Sequence, residues 1–517
     1  MASLNSSLLE IGSSRLTIEN LVNAAKKQIR VQLCNSAEFE KSINASEAFL
    51  DQTLEKQGKI YGVTTGYGDS CTEEVIPDDY TQLPINLTRF HGCGMGNYFD
   101  SETVRAIMIV RLNTLAQGFS GVSMELLKYI EFFIKHDILP LIPEEGSVGA
   151  SGDLTPLSYL AAALIGERDV MYKDNVRPSK DLLSELGISP YQFRPKEALA
   201  IMNGTAVMNA IAALAFAKAK YIADLSCRIT AMNSIALKGN IGHFSERLFE
   251  LKPFPGQALA AKKIREALPY PSSKTTESPD VTSGRIQDAY SLRCAPHVIG
   301  VFYDVEKTLW DFIELEMNSA NDNPLIDPEA KEIYHGGHFY GGHICFAMDS
   351  LKNIVVNIAD LIDRQLALLV DPKFNRGLPA NLSGSKNLSC NHGFKAIQIA
   401  TSAWTAEALK TSIPMSIFSR STECHNQDKV SMGTIAARDC VRVNTLASQV
   451  IAASLLASFQ AIDLRLNNNE LKQENLGKAK KTYVEIAGFF NALEDDRAME
   501  QDLRKAVALI EARHFKL

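Results

Sequence analysis

The sequence predicts a mainly α-helical protein, a bundle of long helices with a loop-rich N-terminal part. Three observations carry that reading. Residues 198–237, 347–370 and 435–464 are rich in Ala, Leu, Met, Lys and Ile, have almost no proline, and place apolar residues three and four apart. Strand signals are weak and short. Loop-forming Gly, Asn, Ser and Pro concentrate instead at 62–69, 91–97, 144–153, 269–284, 321–324 and 335–342. The long helices carry few charges and are apolar on more than one face, so they belong inside a bundle or against another subunit. A boundary is expected near residue 200, separating a loop-rich domain 1–200 from a long-helix domain 201–517. No fixed-period repeat or low-complexity tract interrupts either, and the Ser/Thr cluster at 271–278 reads as a mobile loop.

Composition narrows the class. The 517 residues are 22% charged and 46% hydrophobic with a net charge of -7, the balance of a globular protein without a nucleic-acid or anionic-membrane surface. No continuous apolar run approaches a membrane span, and residues 1–15 lack the basic start and apolar core of a secretory signal. Nine dispersed cysteines without a Cys-x-x-Cys pair read as reduced thiols. A cytoplasmic protein is expected.

In chain order, the first loop is Tyr61-Gly62-Val63-Thr64-Thr65-Gly66-Tyr67-Gly68, where a tyrosine among glycines suits either an ordinary turn or a lid carrying a base. The glycines of His91-Gly92-Cys93-Gly94-Met95-Gly96 lack the preceding strand and the Gly-Lys-Ser/Thr of a phosphate loop. Gly146 to Leu157 contains Ala150-Ser151-Gly152. Without a Cβ on Gly152 the backbone there can fold back on itself. Attack of the Gly152 nitrogen on the Ala150 carbonyl, with loss of water including the Ser151 hydroxyl, would leave a five-membered ring bearing an exocyclic methylene. That is an electrophile made from the chain itself; the alternative is a Gly/Ser turn.

Asn203-Gly204-Thr205 opens a long helix, where Asn serves as a cap or as a polar contact. If helical, Gln287, Tyr290 and Arg293 share one face, a strip of amide, phenol and guanidinium suited to gripping a carboxylate, or else a solvated face. Ser319-Ala320-Asn321-Asp322-Asn323-Pro324 is dense in turn formers. The histidines of His335-Gly336-Gly337-His338-Phe339-Tyr340-Gly341-Gly342-His343 invite a metal reading, but the spacing is poor for zinc. Glu423-Cys424-His425-Asn426-Gln427-Asp428 precedes a helix, and capping explains Asp428 but not the whole run.

Together these clusters resemble the aromatic amino acid ammonia-lyases and aminomutases, in order from Tyr61 to Asp428. Gly-x-x-x-Ala-Ser-Gly-Asp-Leu-x-Pro-Leu is the most specific, followed by Asn-Gly-Thr, Tyr-Ser-Leu-Arg-Cys and Asn-Asp-Asn-Pro. The resemblance implies an all-helical homotetramer with shared active sites, an amino-acid substrate, and a methylidene-imidazolone (MIO) formed from Ala150, Ser151 and Gly152 with no external cofactor. It makes Tyr61 the base for the β-proton, whose pKa of about 10 would have to fall or whose proton transfer would have to be coupled. It makes Arg293 the carboxylate binder and gives Asn203 and Tyr290 the support of the ring and its developing negative charge. Gly68, Gln287, Phe339 and Gln427 match pocket positions.

For the substrate, the resemblance points to Phe90-His91, an apolar wall beside a hydrogen-bonding ring, and to Asn426-Gln427-Asp428, where histidine lyases carry a glutamate in place of Gln427. A charged imidazole would lose a partner worth roughly 2 kcal/mol or more if buried. Glu423 matches a glutamate typical of phenylalanine lyases. Elimination of ammonia from phenylalanine or tyrosine is therefore expected, the alternatives being histidine elimination, a 2,3-aminomutase and, in a different class, a metal-dependent hydrolase. His297 and His338 depart from the family's usual amides.

Overall fold

The computed structural model describes residues 8–56, 58–269 and 286–517; the Ser/Thr cluster at 271–278 lies outside them. The helices are α1 Ile18–Ala25, α2 Ala37–Glu55, α3 Gln82–Phe90, α4 Ser101–Leu115, α5 Met124–His136, α6 Leu154–Leu164, α7 Ser179–Glu185, α8 Glu197–Met202 and α9 Ala206–Ala236. They continue with α10 Glu246–Glu250, α11 Pro255–Ala267, α12 Tyr290–Arg293, α13 Ala295–Met317, α14 Gly342–Val370, α15 Lys395–Thr411, α16 Gly433–Asn467, α17 Ala479–Ala487 and α18 Glu500–Glu511. The expected mainly α fold is what forms. Strands are short: β1 Leu8–Ile11 pairs in parallel with β2 Arg30–Leu33, and β3 Met95–Tyr98 pairs with β5 Pro143–Glu145. β4 Leu139–Pro140, β6 Asp169–Tyr172 and β7 Asn175–Pro178 make a three-stranded patch, and β8 Leu325–Asp327 pairs with β9 Glu332–Tyr334.

The chain divides into two compact units. Unit 1 is Met1–Ala217, Trp310–Asp349 and Pro414–Arg438; unit 2 is Lys218–Leu309, Ser350–Ile413 and Asp439–Leu517. This differs from a partition into 1–200 and 201–517, because the stretches at 310–349 and 414–438 return to the first unit. Both stretches hold loop clusters singled out in the sequence.

In unit 1 the local signals are strong. Asp100, Ser123 and Ser36 cap α4, α5 and α2 through side-chain oxygens that accept the N–H of Thr103, Leu126 and Phe39. Helix α4 is buried all round from Val104 to Leu115, as its apolar composition demands, and packs with α1, α5 and α8. The run expected as one helix over 198–237 is broken into α8 and α9. Asn203 is extended and Gly204 takes φ +152°.

In unit 2 the long helices join through a polar seam within an apolar core. Asn233 on α9 donates to Gln365 on α14 (2.9 Å), and Ser458 on α16 donates back to Asn233 (2.5 Å). α9 and α16 are long and apolar enough to cross a membrane by length and composition, although polar residues interrupt both. Their most apolar windows are 72% and 89% buried within the protein.

Candidate active site

The site is built where helix N-termini meet in unit 1. Ser151 stands just before Asp153, the N-cap of α6, and Asn203 just before α9. Gly341 and Gly433, at the starts of α14 and α16, both lie against Met208 in the first turn of α9. Each N-terminus adds roughly half a positive charge, so four of them favour an anion or a developing negative charge between them.

Two glycines let the loops approach. Gly152 (φ +72°) and Gly204 form an isolated parallel bridge, and a Cβ on Gly152 would sit 2.1 Å from the Gly204 carbonyl oxygen. The Asp153 N–H donates to that carbonyl (2.8 Å), and the Gly204 N–H donates to the Ser151 carbonyl (3.3 Å). Gly204 is backed by Arg111, whose guanidinium is fully buried in the middle of α4. It donates to the Asn203 carbonyl (2.9 Å), to Asn321 Oδ1 (3.0 Å) and to the Ala200 carbonyl. Burial lowers Arg111 to about 10.

The Asn321-Asp322-Asn323 turn thereby acquires a role. Asn321 donates to Thr205 (2.8 Å), Asp322 pairs with the buried Lys196, and Asn323 accepts the Gly336 N–H (2.8 Å). Thr205 in turn donates to Glu316, whose carboxyl burial raises. Sequence reasoning missed Arg111, Lys196 and Glu316. The available signal was a lone cation inside an apolar helical run, as in Ile109-Val110-Arg111-Leu112.

A cavity of about 370 Å³ opens over Ser151. Tyr61, Tyr67, Gly68, Leu87, Phe90, His91, Asn203, Glu423 and Gln427 share its wall. The Tyr61 phenol oxygen accepts the Gly68 N–H (2.7 Å), and the Tyr61 N–H donates to His335 Nε2 (3.4 Å). The Glu423 carboxylate accepts the Asp69 N–H on both oxygens (3.0 Å each). It lies where a Cβ on Gly68 would be, 2.4 Å away, so a side chain there would displace the carboxylate and strain a left-handed backbone at φ +59°. Gln427 donates to the Ser151 hydroxyl (3.3 Å) and accepts from Thr422 (2.9 Å). Glu423, Cys424 and His425 all have positive φ, a left-handed turn that non-glycine residues adopt only where surrounding structure holds them. The second tyrosine, Tyr67, was quoted in the loop motif without a role; burial raises its phenol.

Electrostatics bears on the two alternatives for Tyr61. Burial raises the Tyr61 phenol above its ordinary value. The Gly68 N–H pulls it back, and Glu423 and Cys71 push it further up. The direction of the shift favours coupled proton transfer over a lowered pKa. Burial lowers His91 most, the Leu87 carbonyl at Nδ1 (3.0 Å) opposes, and Arg168 adds to the lowering. The balance favours the neutral ring. With Nδ1–H donating to that carbonyl, Nε2 is left as an acceptor.

The remaining expected residues divide. Phe339 is half-buried in the turn before α14 and is not among the cavity-wall residues. Gln287, Tyr290 and Arg293 belong to unit 2, and they do not share a helical face as expected, because α12 begins only at Tyr290. The cause is Asp288. Its carboxylate accepts the Asn240 N–H (2.6 Å) and pairs with Arg376, and its own N–H donates to His243 (3.1 Å), which holds 287–289 out of the helix. The Arg293 guanidinium lies over the Tyr290 ring, 4.5 Å from its centroid. Among the described residues no three His, Cys, Asp or Glu side chains gather as a metal site.

An MIO at Ala150-Ser151-Gly152 fits these surroundings. Gly152 has the left-handed backbone and close packing that exclude a side chain, and Asn203, which lines the same cavity as Ser151, has a buried Oδ1 with no hydrogen-bond partner.

Comparison with known proteins follows the same lines. A family profile described as aromatic amino acid lyase matches residues 16–486. A histidine ammonia-lyase of Staphylococcus aureus is 36% identical over 503 residues, 97% of either chain. The crystal structure of a tyrosine aminomutase from Streptomyces globisporus superposes with a TM-score of 0.90 at 31% identity, covering 98% of this chain and 97% of its own. A phenylalanine aminomutase of Pantoea agglomerans gives 0.89 at 29%, covering 98% and 99%.

Proposed function

The chain belongs to the aromatic amino acid lyase family and is a carbon–nitrogen lyase, and we propose that it eliminates ammonia from tyrosine or phenylalanine to give coumarate or cinnamate. The observation that carries this choice is the 3.0 Å contact of His91 Nδ1 with the Leu87 carbonyl. A neutral ring with Nδ1–H committed to the Leu87 carbonyl offers an acceptor, beside the apolar Phe90, to a phenolic O–H. Gln427, an amide, supplies no counter-charge for an imidazolium.

The MIO, formed from Ala150, Ser151 and Gly152, supplies an electrophile that makes the substrate nitrogen easier to expel. Everything else is the work of side chains. Tyr61, on the cavity wall with its oxygen held by the Gly68 N–H, takes the β-proton as the amine departs, the coupling that its raised pKa requires. Asn203 and Tyr290 support the ring, with the four helix N-termini stabilising negative charge. Arg293, flat against Tyr290, binds the carboxylate in a homotetramer whose active sites are shared. Gly68 admits Glu423 to the wall, and Gln287 and Phe339 complete the pocket in that assembly.

A second reading, histidine elimination, is favoured by the 36% identity to the staphylococcal histidine ammonia-lyase. One absorbance screen with Phe, Tyr and His separates them. Coumarate or cinnamate is expected; rapid urocanate formation with Phe and Tyr inert would overturn the proposal. A β-amino acid product would identify a mutase instead. The Ser151→Ala variant is expected to lose turnover while keeping its fold, and the wild-type intact mass to fall two waters short of the sequence mass.

A further inference from the structure

The ring pocket depends on where α3 ends, and that end is not held by α3 itself. The last carbonyls of a helix have no partner within it. In α3 the Thr88 carbonyl is met by Arg168 Nη2 (2.5 Å), from a residue outside the cavity. The same guanidinium donates to Ser158 on α6 (3.1 Å) and lies on the Tyr159 ring, 4.2 Å from the centroid. Tyr159 in turn accepts the Gly94 N–H (3.1 Å), just past the pocket pair. The neighbouring Glu167 pairs with Arg89 in the last turn of α3 (2.7 Å).

The chain is shaped to admit this group. Arg168 has φ +65°, a conformation side-chain-bearing residues rarely adopt, and a Cβ on Gly92 would lie 2.0 Å from its Nη2. Gly92 is thus glycine for the guanidinium, which answers the phosphate-loop resemblance of the Gly92-Cys93-Gly94 run.

We propose that Arg168 is a positioning residue for ring recognition, tying Phe90 and His91 at the end of α3 to α6, the helix that follows Ser151. It sets the spacing between the pocket that reads the ring and the segment that reacts with the amine. Its charge also opposes protonation of His91, keeping the acceptor nitrogen free. The other titratable groups around that ring are Tyr61, Tyr67 and Glu423 on the cavity wall, with Tyr159, Glu167 and Cys93 beside Arg168.

This rests on reading the cavity as the ring pocket. The test uses the full-length enzyme and compares wild type with Arg168→Gln, Arg168→Lys and Gly92→Ala, the last displacing the guanidinium without deleting it. The readouts are the kcat/KM ratio between the preferred aromatic amino acid and the next best, the pH profile, and the intact-mass deficit as a check on the Ala150-Ser151-Gly152 segment. In Arg168→Gln and Gly92→Ala the ratio is expected to shrink about tenfold, through KM more than kcat. In Arg168→Gln the acid limb also moves to higher pH, and Arg168→Lys restores the limb but only part of the ratio. If the variants keep both the mass deficit and an unchanged ratio and acid limb, the proposal is overturned. If Arg168→Gln does not fold, Gly92→Ala decides alone through the ratio. A wild type that prefers histidine fails the functional reading instead, and the kcat/KM ratio of histidine to the next amino acid still tests Arg168.

Discussion

Asp153 shows how one residue can serve the site without touching substrate. Its carboxyl is fully buried and accepts from the Met208 N–H at the head of α9 (2.8 Å), from Ser147 (3.1 Å) and from Thr434. Burial raises it to about 6, against the pull of those donors. Because the folded value lies above the unfolded one near 4, folding favours the protonated form. That contribution is complete below about pH 4 and is lost as pH rises through about 6, on the order of 3 kcal/mol. The stability of wild type relative to Asp153→Asn, followed by thermal melts, is expected to decline from pH 4 to 7; a flat difference would count against this. The residue types at the site were legible because Tyr61, Ser151, Asn203, Glu423 and Gln427 stand in loops that their own glycines and turn formers mark. The direction of the Tyr61 shift was not, since it comes from burial under a wall that includes Glu423, far along the chain.

At the scale of elements, the decisive object is the bridge between Gly152 and Gly204. Gly152→Ala would put a Cβ 2.1 Å from the Gly204 carbonyl oxygen at a left-handed φ. Something must shift, and both neighbours are backbone. The expected result is loss of both turnover and the two-water mass deficit, checked by mass spectrometry beside Ser151→Ala, which loses the deficit without the clash. A Gly152→Ala enzyme with full deficit and activity would show that the bridge is dispensable. The long helices were readable from periodicity and the caps from Ser36, Asp100 and Ser123, because those signals are local. The strip Gln287-Tyr290-Arg293 failed for the opposite reason. Spacing allowed a helix, but Asp288 is claimed by Asn240, His243 and Arg376, none adjacent in sequence.

For the whole molecule, the exposed apolar residues matter most. Val301 and Leu315 on α13, Phe346 on α14, and Ile399 and Leu409 on α15 are all more than a third exposed. Faces of this kind normally mark an interaction surface. Light scattering is expected to report four chains per particle, and dilution to monomers to abolish turnover, because the proposed site takes Arg293 from another chain. A fully active monomer would remove the shared-site reading.

Sequence by itself determined the fold class, through helical periodicity over 198–237, 347–370 and 435–464, and the reaction class, through Ala150-Ser151-Gly152 and its companion loops. Both are written in neighbouring residues, where spacing and backbone freedom act directly. Only the tertiary structure decided that Arg111 backs Gly204, that Glu423 fills the place of a Gly68 side chain, that His91 Nδ1 meets the Leu87 carbonyl and that Arg168 meets the end of α3. Those facts depend on burial and on partners up to several hundred residues apart. Desolvation and close approach exist only once the chain has folded.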